Sequence, residues 1–210
     1  MTRTATLAGL FDDLADSYDH EHHEKIAGAL LAQARPGAAD AVADVACGAG
    51  AVALRLAADR PESAPAVLAI DVSPGMIDAG RTRAAAQLPG RTDAIDWQVG
   101  DAVPLPVPDG SLDTVLCASS LHFLGTRALT DWRRALRPGG RIGFTLPLAT
   151  HFRPSDRFAA LLAADIPLPN STAEATSWAT ANGFTDVLSC IEILGTRRVV
   201  MTTATSPAHH

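Results

Sequence analysis

Val42-Ala43-Asp44-Val45-Ala46-Cys47-Gly48-Ala49-Gly50 is the stretch on which the fold turns. An apolar run of strand type passes straight into a glycine turn. Ala51 to Arg60 then follows with Val52, Leu54, Leu56 and Ala57 as the apolar positions of an amphipathic helix. A strand, a glycine turn and a helix start build the floor of a site for a nucleotide-like ligand. Glycine lets the backbone approach the ligand closely, and the helix N-terminus offers free N–H groups to a negative group.

The same alternation extends away from this stretch. Strand Ala66–Ile70 ends at Asp71, and Ser73-Pro74 is predicted to cap a helix running to about Leu88. Ile95–Val99, Leu112–Ala118 and Arg141–Leu148 read as further strands, with a helix over Thr126–Leu136 stopped by Pro138-Gly139-Gly140. Strands alternating with helices predict an α/β fold, a doubly wound and mostly parallel sheet with helices on both faces. Val187–Leu194 and Arg197–Thr203 flank Gly195-Thr196 and predict a hairpin, so one sheet edge is antiparallel.

The flanks are less regular. Ala5–Asp16 and Glu24–Ala34 carry helical spacing, and Pro36-Gly37 ends the second helix. Residues 149–170 hold His151, Pro154, Pro167 and Pro169 around a short helical piece, Asp156–Ala164, before a helix over Thr172–Asn182. With no repeat and no long linker, residues 1–210 are expected to form a single domain. Residues 1–36 would be an N-terminal helical lid and 149–170 a lid over a substrate.

Composition narrows the function classes. A chain of 210 residues that is 47 % hydrophobic can bury a proper core as one domain. The net charge is −6 and no basic run exists, which argues against a nucleic-acid partner. Cys47, Cys117 and Cys190 lie far apart without paired zinc spacing, so no metal is expected. Without a secretory signal, a reducing cytoplasm is the expected location, and no apolar run is long enough to span a membrane. His20, His22 and His23, interleaved with Glu21 and Glu24, read as a solvated helix start rather than a metal site. His209-His210 reads as a tag remnant and is set aside.

Gly48-Ala49-Gly50-Ala51-Val52-Ala53 fits G-x-G-x-x-G/A, with Asp71 about twenty residues further on. A carboxylate at the end of the second strand chelates a ribose diol whether the ligand is NAD or another adenosine compound, so these residues alone leave both open. Asp44, four residues before Gly48, would repel a pyrophosphate but suits a ligand carrying an ammonium and a sulfonium. Asp101, after Gly100 at the end of the third strand, can accept from an exocyclic adenine amine.

In these residues the chain resembles the class I S-adenosylmethionine-dependent methyltransferases, closest to the small ubiquinone/menaquinone-biosynthesis type. The resemblance runs from about Phe11 to Thr203. It is carried by Val42 to Gly50, Ala69-Ile70-Asp71-Val72-Ser73-Pro74-Gly75-Met76-Ile77 and Gly100-Asp101-Ala102, then Leu105-Pro106, Ser111-Leu112-Asp113-Thr114-Val115 and Leu136-Arg137-Pro138-Gly139-Gly140. Phe11-Asp12 and Tyr18-Asp19 resemble the family's N-terminal segment. Their order and spacing together make the match specific.

The resemblance implies a Rossmann-like, seven-stranded sheet ending in an antiparallel hairpin. It also implies S-adenosyl-L-methionine as cofactor, S-adenosyl-L-homocysteine as product, and in-line methyl transfer to a small-molecule acceptor in quinone or secondary metabolism. By the same resemblance Gly48 and Gly50 lie against the methionine part and Asp44 helps hold the amino end. Asp71 takes the ribose hydroxyls, Val72 and Met76 flank the adenine, and Asp101 with the Ala102 amide reads its edge. Tyr18 folds over the cofactor, and Ala46, Cys47 and Ser119 complete the expected contacts.

Plainer roles stand beside these: Asp71 as a helix cap (Ser73 is better placed), Asp101 as a turn residue, Met76 as core, Tyr18 as a half-buried surface aromatic, and Asp113 as structural. His122 follows the fourth strand, where ligands of open parallel sheets sit, and is the candidate base; the alternative is that it packs near the cofactor. His151 is a weaker candidate. Methyl transfer needs alignment and a dry site more than a catalytic group. Two rivals remain: a cofactor-binding protein of this fold that rearranges a substrate or serves as a non-catalytic partner, and a nicotinamide oxidoreductase. The acceptor, the atom methylated and a homodimeric state are left open.

Overall fold

The computed structural model describes residues 3–14, 20–195 and 197–207. The apolar runs become β1 (Val42–Val45), β2 (Val67–Asp71), β3 (Ile95–Val99), β4 (Leu112–Cys117) and β5 (Leu136–Pro147). The two terminal runs become β6 (Thr185–Leu194) and β7 (Arg197–Thr205). All seven join one sheet in the order β3-β2-β1-β4-β5-β7-β6. β1 lies parallel to β2 and to β4, with Asp44 opposite Ala69 on one side and Leu116 on the other. Strand order reverses across β1 and β4, and in such sheets the crevice at the carboxyl ends of those strands receives the ligand. β7 enters antiparallel to β5 and pairs with β6 as the expected hairpin.

Among the described residues eight α-helices surround the sheet: α1 (Arg3–Leu14), α2 (His20–Ala34), α3 (Ala51–Asp59), α4 (Pro74–Gln87), α5 (Leu121–Leu124), α6 (Arg127–Ala135), α7 (Asp156–Ala159) and α8 (Thr172–Ala181). α4 starts as its sequence demands. Ser73 Oγ accepts from Met76 N at 3.0 Å and Pro74 takes the first helical position, where a missing N–H costs nothing. α6 buries Ala128, Leu129, Trp132 and Ala135, a helical stripe laid on the sheet. Val45, Ile70, Val115, Trp132 and Phe144 fill one side of the sheet; Leu30, Val52, Ala53, Ala69 and Leu116 fill the other. A smaller cluster of Leu7, Leu10, Phe123 and Leu161 joins α1 to the segment after β5, with Phe11, Val72 and Phe158 against it. Among the described residues no helix is long and apolar enough to cross a membrane.

Two boundaries differ from the sequence expectation. Pro138-Gly139-Gly140 does not precede the fifth strand but lies inside it, because β5 pairs from Leu136 opposite Leu112 and resumes after a register shift at Arg141 opposite Thr114. The partner that makes this possible is remote: Ser206 O accepts from Gly139 N at 2.9 Å, and Ser206 N donates to Gly140 O at 2.7 Å. The helical piece expected over Asp156–Ala164 is one turn, α7, and Ala163 N leaves it to donate to His122 O at 2.8 Å. Residues 15 and 16 of the first expected helix lie outside the described residues.

Candidate functional site

A cavity of about 280 Å³ opens at the carboxyl edge of the sheet. Ala46, Gly48, Asp71, Val72, Asp101 and Ala102 form its floor and one wall, while Leu7, Phe11, Ser120, Phe123, Leu124 and Arg127 close the rest. The floor follows from the turn after β1. Ala46, Gly48 and Gly50 all take left-handed backbone angles, with φ of 51°, 53° and 75°. Cys47 N donates to Ile70 O at 3.1 Å and Gly50 N to Cys47 O at 2.9 Å, which folds the chain back into α3. Gly50 is required by a neighbour within the protein: a Cβ there would stand 2.2 Å from Cη2 of Trp97. The same indole covers Gly80 of α4.

Asp71 is the most constrained acid on the cavity wall. It is 6 % exposed, its Oδ2 accepts from Gly48 N and its Oδ1 from Ser73 N, both at 2.9 Å. Burial pushes its carboxyl up, the bonds from Ser73 and Gly48 oppose that, and Asp12 adds a smaller upward push. Two carboxylate oxygens offer about four lone-pair sites, so the two N–H bonds orient the group and leave acceptor capacity for a vicinal diol. The wall therefore fits the ribose of a nucleoside. Asp101 combines both roles considered for it. Its Oδ1 accepts from Val103 N at 3.0 Å in a turn, and the residue lines the cavity with Arg127 Nη2 3.9 Å from Oδ2.

Asp44 lies beneath the floor. It is 1 % exposed and its Oδ2 accepts from Ala53 N, in the first turn of α3, at 3.1 Å. Burial pushes its carboxyl up to about 7; the Ala53 bond opposes and Asp71 adds to the rise. A nearby cation would return it to the ionised form, so this acid suits an ammonium neighbour. Met76 is fully buried outside the lining, while Val72 is part of it. Cys47 is half-buried with Sγ 3.4 Å from Gly48 O, and burial pushes its thiol well up, helped by Asp44 and Asp71. Tyr18 lies outside the described residues. Asp113 accepts from Ala41 N at 2.7 Å and ties β4 to the approach to β1.

The opposite wall is built differently. Ser119 has φ 66° and gives its N–H to Thr145 Oγ1 at 2.8 Å, while its buried Oγ has no partner among the described residues. Ser120 lines the cavity, with Oγ 3.2 Å from Ala46 O. His122, in α5, is 4 % exposed, with its ring centroid 4.2 Å from that of Phe123 and 5.7 Å from that of Phe152. Its Nδ1 has no partner among the described residues, and burial pushes its pKa down to about 4, so the ring is neutral at pH 7. His122 stands behind Phe123 rather than in the lining. No group of three or more His, Cys, Asp or Glu among the described residues is arranged to hold a metal ion.

Several site residues escaped the sequence reading. Arg127 enters the lining from a helix start that carries no motif, beside Ser120 of the Ser119–Phe123 edge. Asp12 reads in the sequence only as part of Phe11-Asp12. Its Oδ1 accepts from Ser73 Oγ at 2.5 Å and from Gly75 N at 2.9 Å, pinning α1 onto the start of α4.

A seven-stranded sheet in this order, with an acid on the β2 end facing a glycine turn, defines a Rossmann-like domain with a ligand-sized cavity at its carboxyl edge. Residues 42–140 match the family described as a methyltransferase domain. Through these residues the chain is similar to the class I S-adenosylmethionine-dependent methyltransferases. It is 37 % identical over 145 residues to a demethylmenaquinone methyltransferase of Symbiobacterium thermophilum, covering 63 % of this chain and 55 % of that one. It is 34 % identical over 151 residues to a ubiquinone/menaquinone biosynthesis C-methyltransferase of Dinoroseobacter shibae, covering 67 % and 58 %. The chain thus spans little more than half the length of these relatives. In fold it is similar to the cyclase SpnF, with a TM-score of 0.69 at 19 % identity over 89 % of this chain and 81 % of that one.

Proposed function

We propose that this protein moves a methyl group from S-adenosylmethionine to a small, largely apolar acceptor and releases S-adenosylhomocysteine. The supporting observation is the meeting of Gly48, Asp71, Val72, Asp101 and Ala102 on one wall of a cavity at the carboxyl edge of the sheet. In this reading Asp71 takes the ribose hydroxyls. Val72 flanks the adenine with Met76 behind it, and Asp101 with the Ala102 amide takes the adenine edge. Gly48, with Ala46, Cys47 and Gly50, lies along the methionine part, and Asp44 acts on the amino end through water or directly. Tyr18 and Ser119 complete the shell.

The cofactor's sulfonium supplies an activated methyl, so the chain's share is to bind, dry and align. Leu7, Phe11 and Phe123 bring apolar surface over the cavity and exclude water. The acceptor enters between α1, residues 149–170 and Ser119–Phe123. His122, packed against Phe123 outside the lining, orients that ring, and its Nδ1 would reach the acceptor only after Phe123 turns aside. A pKa of about 4 makes it a weak base, so orientation is its larger part. A quinol is the first acceptor to try, from the resemblance to demethylmenaquinone methyltransferases. We read the protein as a single cytoplasmic domain over residues 1–210, monomer or homodimer, without nucleic-acid or membrane partners.

One observation favours a second reading. His122, the candidate base, lies outside the cavity lining, which suits a protein that binds the cofactor and rearranges its substrate without methyl transfer. Methyl-labelled cofactor incubated with a panel of quinols, phenols and amines separates the two. A labelled product in any arm supports methyl transfer. Tight cofactor binding with no labelled product across the panel favours the second reading.

A further inference from the structure

The glycine loop is gripped by a residue that lies outside the cavity. Arg83, on α4, has a side chain 17 % exposed. Its Nη1 donates to the carbonyl oxygen of Ala49 at 2.9 Å. Its Nη2 donates to Oε1 of Glu24 on α2, and the other oxygen of Glu24 accepts from Arg55 Nε on α3 at 3.1 Å. One guanidinium therefore links α2, α4 and the loop.

The carbonyl of Ala49 and the N–H of Gly50 belong to one peptide plane. That N–H donates to Cys47 O at 2.9 Å, so the plane is held at both ends, by Arg83 on its oxygen and by Cys47 on its nitrogen. Turning the peptide over breaks both bonds. Ala49 is 1 % exposed, so its carbonyl has no water to replace the lost donor. The loop that begins at Gly48 is thereby kept in one shape before any ligand arrives.

We propose that Arg83 is a positioning residue for the cofactor, acting through the Ala49–Gly50 peptide, with Glu24 positioning Arg83 in turn. The inference rests on the cofactor reading given above. It makes α2 part of the binding apparatus without touching the ligand. A lysine cannot replace this arginine, because a single ammonium does not present the forked pair of donors that reaches both acceptors.

The test is calorimetric titration of S-adenosylhomocysteine into wild type, Arg83→Met, Arg83→Lys and Glu24→Gln, each also melted without ligand. Loss of a charge-assisted hydrogen bond predicts affinity weakened by about tenfold or more in Arg83→Met and by about threefold in Arg83→Lys and Glu24→Gln. Lower melting temperatures with affinities equal to wild type would make the network a plain interhelical tie and overturn the proposal. If Arg83→Met fails to fold, the other two variants decide by the same criterion. Absence of binding to the wild type overturns the cofactor reading itself, whereas binding to wild type with indifferent variants overturns only the role of Arg83.

Discussion

The two walls of the cavity are held in different ways. On the sheet side, hydrogen bonds fix the geometry: Gly48 and Ser73 hold Asp71, Ala53 holds Asp44, Arg83 holds Ala49, and Trp97 leaves no room beside Gly50. On the helix side, rings meet rings. Phe11 lies 5.9 Å from Phe123 and 6.1 Å from Phe158, while Nδ1 of His122 and Oγ of Ser119 have no partner among the described residues. Directional bonds select one ligand in one pose, and apolar contact accepts a range of shapes. A fixed cofactor and a variable acceptor would call for this division. Asp12 joins the walls, since its carboxylate holds the same Ser73 whose amide orients Asp71.

The largest expected effect breaks the rigid wall from within. Gly50→Ala keeps φ near 75° only with strain and brings a methyl within 2.2 Å of Trp97. The combined cost is about 3 kcal/mol of stability, measured by urea denaturation. A loss under about 1 kcal/mol would mean that the loop yields easily, and the contrast between the walls would fail.

Next comes a pair of opposed pH effects, one from each wall. His122 falls from an ordinary 6.5 to about 4 on folding, so its contribution is complete above pH 6.5 and is lost as pH falls to 4. Asp44 rises from 3.8 to about 7, so its contribution is complete below pH 3.8 and is lost as pH rises to 7. Relative to wild type, His122→Asn should lose its dependence on acid, and Asp44→Asn should gain stability toward neutral pH. The differences amount to about 3 kcal/mol for His122 and about 4 kcal/mol for Asp44 across their windows. Melts of the three proteins at pH 4 to 7 check this; parallel curves would contradict both assignments.

Smaller effects sharpen the comparison by ligand. Asp71→Asn should weaken S-adenosylhomocysteine by about 2 kcal/mol, the worth of a hydrogen bond to a charged group. Unchanged affinity would remove Asp71 from the ribose. His122→Asn should leave that affinity within about twofold, because the ring stands behind Phe123. A large loss would move His122 from the acceptor side to the cofactor side.

Legibility in the sequence follows the same division. The sheet side is local: a strand, its turn and the next helix are contiguous, so Val42 to Gly50 and Ala69 to Met76 announced β1, β2 and the N-cap at Ser73. The hairpin at Gly195 was legible for the same reason. What escaped depends on residues far apart in sequence. Pro138-Gly139-Gly140 looked like a break because its partner, Ser206, lies at the other end of the chain. Gly50 reads as a ligand contact, and nothing local shows that Trp97 also stands against it. Arg83 and Asp12 sit on helices whose spacing gives no hint of a polar partner. The helix-side wall rests on α1, α5 and α7, which no turn connects, so its aromatic character appears only in three dimensions.

The central claim is that the rigid wall is built for S-adenosylmethionine. Calorimetric titration of the wild-type protein with S-adenosylhomocysteine, and separately with NADH, tests it most directly. The account predicts micromolar binding of S-adenosylhomocysteine and none of NADH. Binding of NADH alone would contradict it and return Gly48, Gly50 and Asp71 to a dinucleotide fingerprint.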